Sequence, residues 1–208
     1  MKKKISLLVL SLLIIIASCS KTGEKLGGSP SPIGEEGVTF STSSGTIAGV
    51  SNVSASVTEL KGGVSSISGS AVVTNPVIKN ILSNHPEAQI NGNNVTVTDV
   101  EFRITTEGVE SVYGLQPGII VKYDAKVGDK YKVGDGITRE VVARSTDNDY
   151  FWGGMLIKVI QVEENTNKFG VKKITYWANH RFGLVGMEFQ FDDNSTAKFP
   201  IFASAQNN

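Results

Sequence analysis

The chain has 208 residues, 40% of them hydrophobic and 8% aromatic, and its 20 basic side chains balance its 20 acidic ones. Balanced charge with no basic cluster beyond the first four residues excludes a nucleic-acid-binding face. One cysteine and two histidines exclude a disulfide framework and speak against a dedicated zinc site.

Residues 1–18 open on Lys2-Lys3-Lys4, run through Leu, Ile, Val and Ser from Ile5 to Ile16, and end on Ala17-Ser18 before Cys19. A basic head, a short apolar run and small residues before a cut site describe an export signal. A spanning helix needs about 20 apolar residues, and this run stops before Ser20-Lys21-Thr22. The Ile16-Ala17-Ser18-Cys19 ending resembles the lipobox of bacterial lipoproteins. Ser18-Cys19-Ser20-Lys21 after an isoleucine-rich leader is similar to lipoproteins of the Bacteroidota. The resemblance implies cleavage before Cys19, a diacylglyceryl group on its thiol and palmitate-type acyl chains. It also implies a membrane-anchored, extracytoplasmic protein, expected at the outer membrane, with its periplasmic or surface face left open. At about 0.8 kcal/mol per buried methylene, two or three such chains hold a protein at a bilayer.

Residues 19–37 are rich in glycine, serine, proline and charge, the composition of a flexible lipidated tether. From Val38 to Asn75 only Glu59 and Lys61 are charged, and small polar residues alternate with β-branched ones, as in Val53-Ser54-Ala55-Ser56-Val57. That period predicts half-buried strands with a turn at Gly62-Gly63. Asn75-Pro76 predicts a capped helix, with Val77, Ile78, Ile81 and Leu82 on one face and an end at Asn84-His85-Pro86. Asn91-Gly92-Asn93-Asn94 predicts a turn. The apolar phase then slips between Val97 and Val100, which predicts a β-bulge near Thr98-Asp99.

A second β-rich stretch follows. Val185, Met187, Phe189 and Phe191 read as one strand with a wet face. Met155-Leu156-Ile157 and Val159-Ile160 are apolar in both phases, as in a central strand. Gly134-Asp135-Gly136 and Asn165-Thr166-Asn167 read as turns, and Pro200 predicts an edge strand. The expected fold class is all-β: one or two antiparallel β-sandwich-like units with one short helix near residues 76–84. A Ser/Thr-rich β unit is expected over 38–116 and a C-terminal one over 117–208.

Candidate chemistry is sparse. No serine sits in a Gly-x-Ser-x-Gly elbow, so no catalytic residue, metal site or cofactor is expected. Asp147-Asn148-Asp149 is oxygen-rich but lacks an EF-hand pattern. Tyr150, Phe151 and Trp152 follow that loop, and Tyr176-Trp177 precede Asn179-His180-Arg181. Sugars stack on aromatic rings and bond to nearby polar groups, so Tyr150, Trp152, Trp177, His180 and Arg181 are the candidate ligand-binding residues. The expectation is a non-enzymatic, membrane-anchored module that binds a polysaccharide or an envelope protein. An accessory subunit of an envelope assembly is the alternative. A hydrolase using the loop carboxylates Asp147, Asp149 or Asp192 comes third.

Overall fold

The computed structural model describes residues 24–114, 116–133 and 136–207. The leader, Cys19 and the start of the tether lie outside the described residues, as do Leu115, Gly134-Asp135 and Asn208. The first half of the chain contributes β1 (Thr39–Ser41), β2 (Val50–Lys61), β3 (Val64–Val73), α1 (Pro76–Ser83), β4 (Ala88–Asn91), β5 (Asn94–Thr105) and β6 (Gly108–Ser111). Next come β7 (Gly118–Lys122), β8 (Lys130–Lys132), β9 (Thr138–Arg144), β10 (Tyr150–Trp152) and β11 (Met155–Ile157). The chain closes with β12 (Ile160–Lys168), β13 (Val171–Asn179), β14 (Gly183–Phe191), β15 (Thr196–Pro200) and β16 (Phe202–Ala203).

These strands form an all-β molecule with antiparallel sheets, one of them curled into a half-barrel. The first sheet runs β16-β1-β2-β3-β5-β6-β7, with β4 also on β5; the second runs β15-β14-β13-β12-β9-β8. The chain changes sheets twice, between β7 and β8 at one side and between β15 and β16 at the other. Inward side chains of both sheets meet in one core, where Ile104 and Val109 join Val141, Val162 and Tyr176. A second cluster packs Val73, Ile78 and Val95 with Val171 and Phe191, bringing α1 onto the sandwich.

Local chemistry accounts for most element boundaries. Asn75 Oδ1 accepts from the backbone N–H of Val77 and Ile78 at 2.9 and 3.2 Å, and Pro76 occupies the first turn, where its missing N–H is harmless. Gly62 and Gly63 turn β2 into β3 with φ of 59° and 77°, angles that side-chain-bearing residues resist. The bulge sits at Thr98-Asp99: pairing jumps from Ile67↔Val100 to Gly69↔Val97, and Asp99 takes φ 55°. Pro200 ends β15, an edge strand, as its missing donor requires.

Several expectations are corrected. Met155-Leu156-Ile157 do not form a central strand. Gly153 and Gly154, both at positive φ, fold the segment back on β10 as a hairpin laid over the outer face of the second sheet. Its residues are apolar in both phases because it is a covering layer: Ile157 is buried beneath it while Met155 and Leu156 are exposed. The turn expected at Asn165-Thr166-Asn167 comes later, at Phe169-Gly170, and β12 passes through the three residues with an irregular register. Val185 leaves its expected series, because the register slips between Trp177 and Ala178 and turns Val185 to the outer face.

The stretch expected as a tether is docked from Glu24 onward. Leu26 is buried and its N–H donates to Glu110, Pro30 bridges to Thr105, and a 3-10 turn at Pro32–Gly34 buries Ile33. The division expected at 116/117 falls between β6 and β7, which are hydrogen-bonded neighbours. Both sheets and their clusters lie within residues 24–207.

Candidate functional site

Two places could carry a ligand: the aromatic layer on the outer face of the second sheet, and the space between the sheets. The sequence points to the first. Trp152 and Trp177 are buried there, at 9% and 8% exposure, with Ile157, Val159 and Val185. Trp152 donates its indole N–H to the Ile201 carbonyl at 2.9 Å and packs against Phe182 and Phe202 at centroid distances of 4.6 and 5.3 Å. Trp177 stacks on Tyr150 at 5.8 Å, and Lys198 Nζ sits 4.0 Å from the Trp177 ring and 4.6 Å from Tyr150. Gly186 makes the stack possible, since a Cβ there would stand 2.7 Å from the Tyr150 hydroxyl. Burial, with Glu188 nearby, pushes Tyr150 up to about 12. Both indole rings are thus engaged in packing, and the exposed ring of this layer is Phe151.

His180 and Arg181 lie on the adjoining exposed turn. The His180 ring meets Tyr123 edge-on at 5.5 Å, and Arg181 Nε donates to Gln206 at 3.0 Å while its guanidinium covers Phe182. Asn207 clamps the turn: its side chain donates to the His180 carbonyl and accepts from Ser31, and its backbone N–H donates to the Arg181 carbonyl. Of the five candidate residues, Tyr150, Trp152 and Trp177 share one packed cluster that Arg181 borders through Phe182, while the His180 ring faces Tyr123 apart from them. Asp149 accepts from Ser145 and Asp147 from Thr146, ordinary turn bonding. No cluster of three or more metal-ligating side chains occurs among the described residues.

The second place is a cavity of about 320 Å³ between the sheets, beneath α1. Its wall is mostly apolar, with Val100, Phe102, Ile174, Leu184, Met187 and Phe189 on it. Tyr113 and Phe169, both partly exposed, stand at its mouth with Ile81 and His85 from the end of α1. His85 Nδ1 accepts from the Glu87 N–H at 3.2 Å, which leaves the proton on Nε2. Burial lowers the His85 pKa below its ordinary value, with Glu87 opposing, so the ring is neutral at pH 7. Gly114 faces it with φ 137°, and a side chain there would crowd Nε2 at 3.0 Å.

Deep in the wall is a buried ion pair. Arg139 Nε donates to Glu164 Oε2 at 2.6 Å, with the side chains 2% and 0% exposed. The remaining guanidinium donors reach the carbonyls of Gln116, Gly118 and Ile119. Gln116 orients its amide nitrogen toward Glu164 and accepts from Thr166 Oγ1 at 2.9 Å. Arg139 also covers the Tyr176 ring at 5.6 Å, and burial pushes Tyr176 up to about 12. This network pins β9 and β12 to the segment entering β7, fixing the cavity's polar end. Its signal in the sequence is a charge in the inward phase of a strand: Glu164 alternates with Ile160, Val162 and Thr166, and Arg139 with Ile137 and Val141.

No helix among the described residues is long and apolar enough to cross a membrane. No family model, curated protein or solved structure matches the chain.

Proposed function

We propose that this protein is a non-enzymatic binding module, tethered to a membrane through lipid on Cys19, whose ligand enters the cavity between the two sheets. The observation that carries this reading is the cavity itself. Small-molecule sites are concave, mainly apolar and furnished with a few fixed polar groups, and this one joins an apolar wall of about 320 Å³ to His85, Gln116 and Thr166. Because the space opens at a mouth, solvent wets its apolar wall at a cost of roughly 25 cal/mol per Å² of apolar surface. An occupant with an apolar body recovers part of that. The placement of Trp152 and Trp177 draws support away from a sugar platform on the outer face, because their rings are covered.

The test uses the chain from Ser20 onward, which retains every described residue, and the neutral fluorophore N-phenyl-1-naphthylamine. Saturable binding with blue-shifted emission is expected, lost in Met187→Trp, which fills the cavity, and retained in Phe151→Ser on the outer hairpin. Absence of binding, or equal binding by Met187→Trp, would overturn the reading.

A further inference from the structure

Behind the first cavity lies a second, of about 120 Å³, extending past Ile67 toward Ile33. Phe102, Leu184 and Ile201 line both. The apolar space therefore continues from the residues at the end of α1 to Ile33 of the 3-10 turn, and the three shared side chains stand at the junction, its waist. Leu184 and Ile201 are only partly buried, so their rotamers have room to change.

The polar groups are distributed unequally along it. At the mouth, His85 Nε2–H has no acceptor among the described residues, and Gly114 keeps the space beside it clear. In the deep wall, Arg139 and Glu164 satisfy each other and take the neighbouring carbonyls and Gln116 as partners. The second cavity is lined by apolar side chains and Gly183. A ligand that fits this pattern carries its polar group at the end held in the first cavity and nothing polar in the part that enters the second.

Resting on the reading of the cleft as the binding site, we infer that the ligand is a single unbranched acyl chain. Its terminal carboxyl or ester carbonyl accepts from His85 Nε2, and its tail passes the Phe102–Leu184–Ile201 waist into the second cavity. A branched or fused-ring body would stop at the waist. A sugar would leave its hydroxyls unpaired against the apolar wall, each at substantial cost.

The inference is tested by displacing N-phenyl-1-naphthylamine with octanoate, dodecanoate and hexadecanoate, each kept below its micelle concentration. Affinity should rise about tenfold or more with the first four added methylenes and rise again to the longest chain, since every methylene enters apolar surroundings. Leu184→Phe, which narrows the waist, should keep octanoate binding and cancel the gain from the longest chain. His85→Phe should weaken all three acids while leaving the fluorophore bound. A lysophospholipid with the hexadecanoyl chain is the second arm: displacement by the free acid identifies a fatty acid, and displacement by the lysolipid identifies an acyl chain held in a headgroup, each supporting the shared chemistry. Fluorophore binding with no dependence on chain length, or displacement by neither ligand, would overturn the inference while leaving the cleft as a site. No fluorophore binding would remove the cleft reading and the inference together.

Discussion

On the outer face of β13, Trp177 is stacked on Tyr150 and covered by Lys198; on the inner face, one residue earlier, Tyr176 borders open space. The same strand thus shows an aromatic ring packed to completion and another left beside a cavity. The difference arises from what covers each face. The outer face receives the β10–β11 hairpin, whose Trp152 and Ile157 lie directly on it. The inner face looks across the cavity toward Val100 and Phe102 of the first sheet. Aromatic residues next to an acidic loop are therefore weak indicators of a ligand site when a hairpin is available to lie on them.

The strongest way to break this contrast is to attack the network in the cavity wall. Arg139→Met leaves Glu164 buried without its partner and should cost about 3–5 kcal/mol in urea unfolding. Replacing both, as Arg139→Met with Glu164→Leu, should recover most of that loss, because no uncompensated charge then remains. On the outer face, Trp152→Ala removes a buried ring and its bond to Ile201 and should cost about 3 kcal/mol, the low end for a large aromatic truncation. Because the lost bond is to Ile201, which lines both cavities, fluorophore affinity measured below the melting temperature should fall by more than about twofold; an unchanged affinity would separate the two faces.

Filling the inner space should act in the opposite direction. Met187→Trp is expected to raise unfolding free energy by about 0.5–2 kcal/mol in the absence of ligand, the usual gain from filling a cavity. A loss instead would mean that the wall cannot accept volume and that the two faces are equally well packed. The smallest effect near neutrality comes from the two tyrosines, one per face. Tyr150 and Tyr176 are both pushed from the ordinary 10.0 to about 12 by burial. An unfolded chain releases phenolic protons near pH 10 while the folded chain holds them, so their contribution is intact below pH 10 and declines as pH rises toward 12. Thermal melts across that range, followed by tyrosinate absorbance, should show the decline. Tyr150→Phe and Tyr176→Phe should each remove a share of it.

The legible part of this molecule was local. Asn75-Pro76 marks a helix start because a side-chain oxygen two residues before an apolar face has an obvious use, and the structure places the cap there. The slip between Val97 and Val100 marks a bulge because a period of two leaves no other account of it. What escaped depends on contacts distant in sequence. Met155 and Leu156 look like core until one knows that their segment lies outside the second sheet. Glu24 to Gly37 look like a tether because the acceptor for Leu26 is Glu110, 84 residues away. The cavity has no sequence signature of its own, because a void is a property of two surfaces that fail to meet. Its nearest trace was the pair of charges, Arg139 and Glu164, in strand phases otherwise reserved for apolar residues.

The first sheet is completed by β16, so Phe40 pairs with Ala203, and Ser31 holds Asn207. Contacts this far apart in sequence slow folding, because a long loop must close before they form. They also impose an order of events: neither clasp can exist until residues 202–207 have been synthesised. Until then β1 has β2 on one side and an unpaired edge on the other.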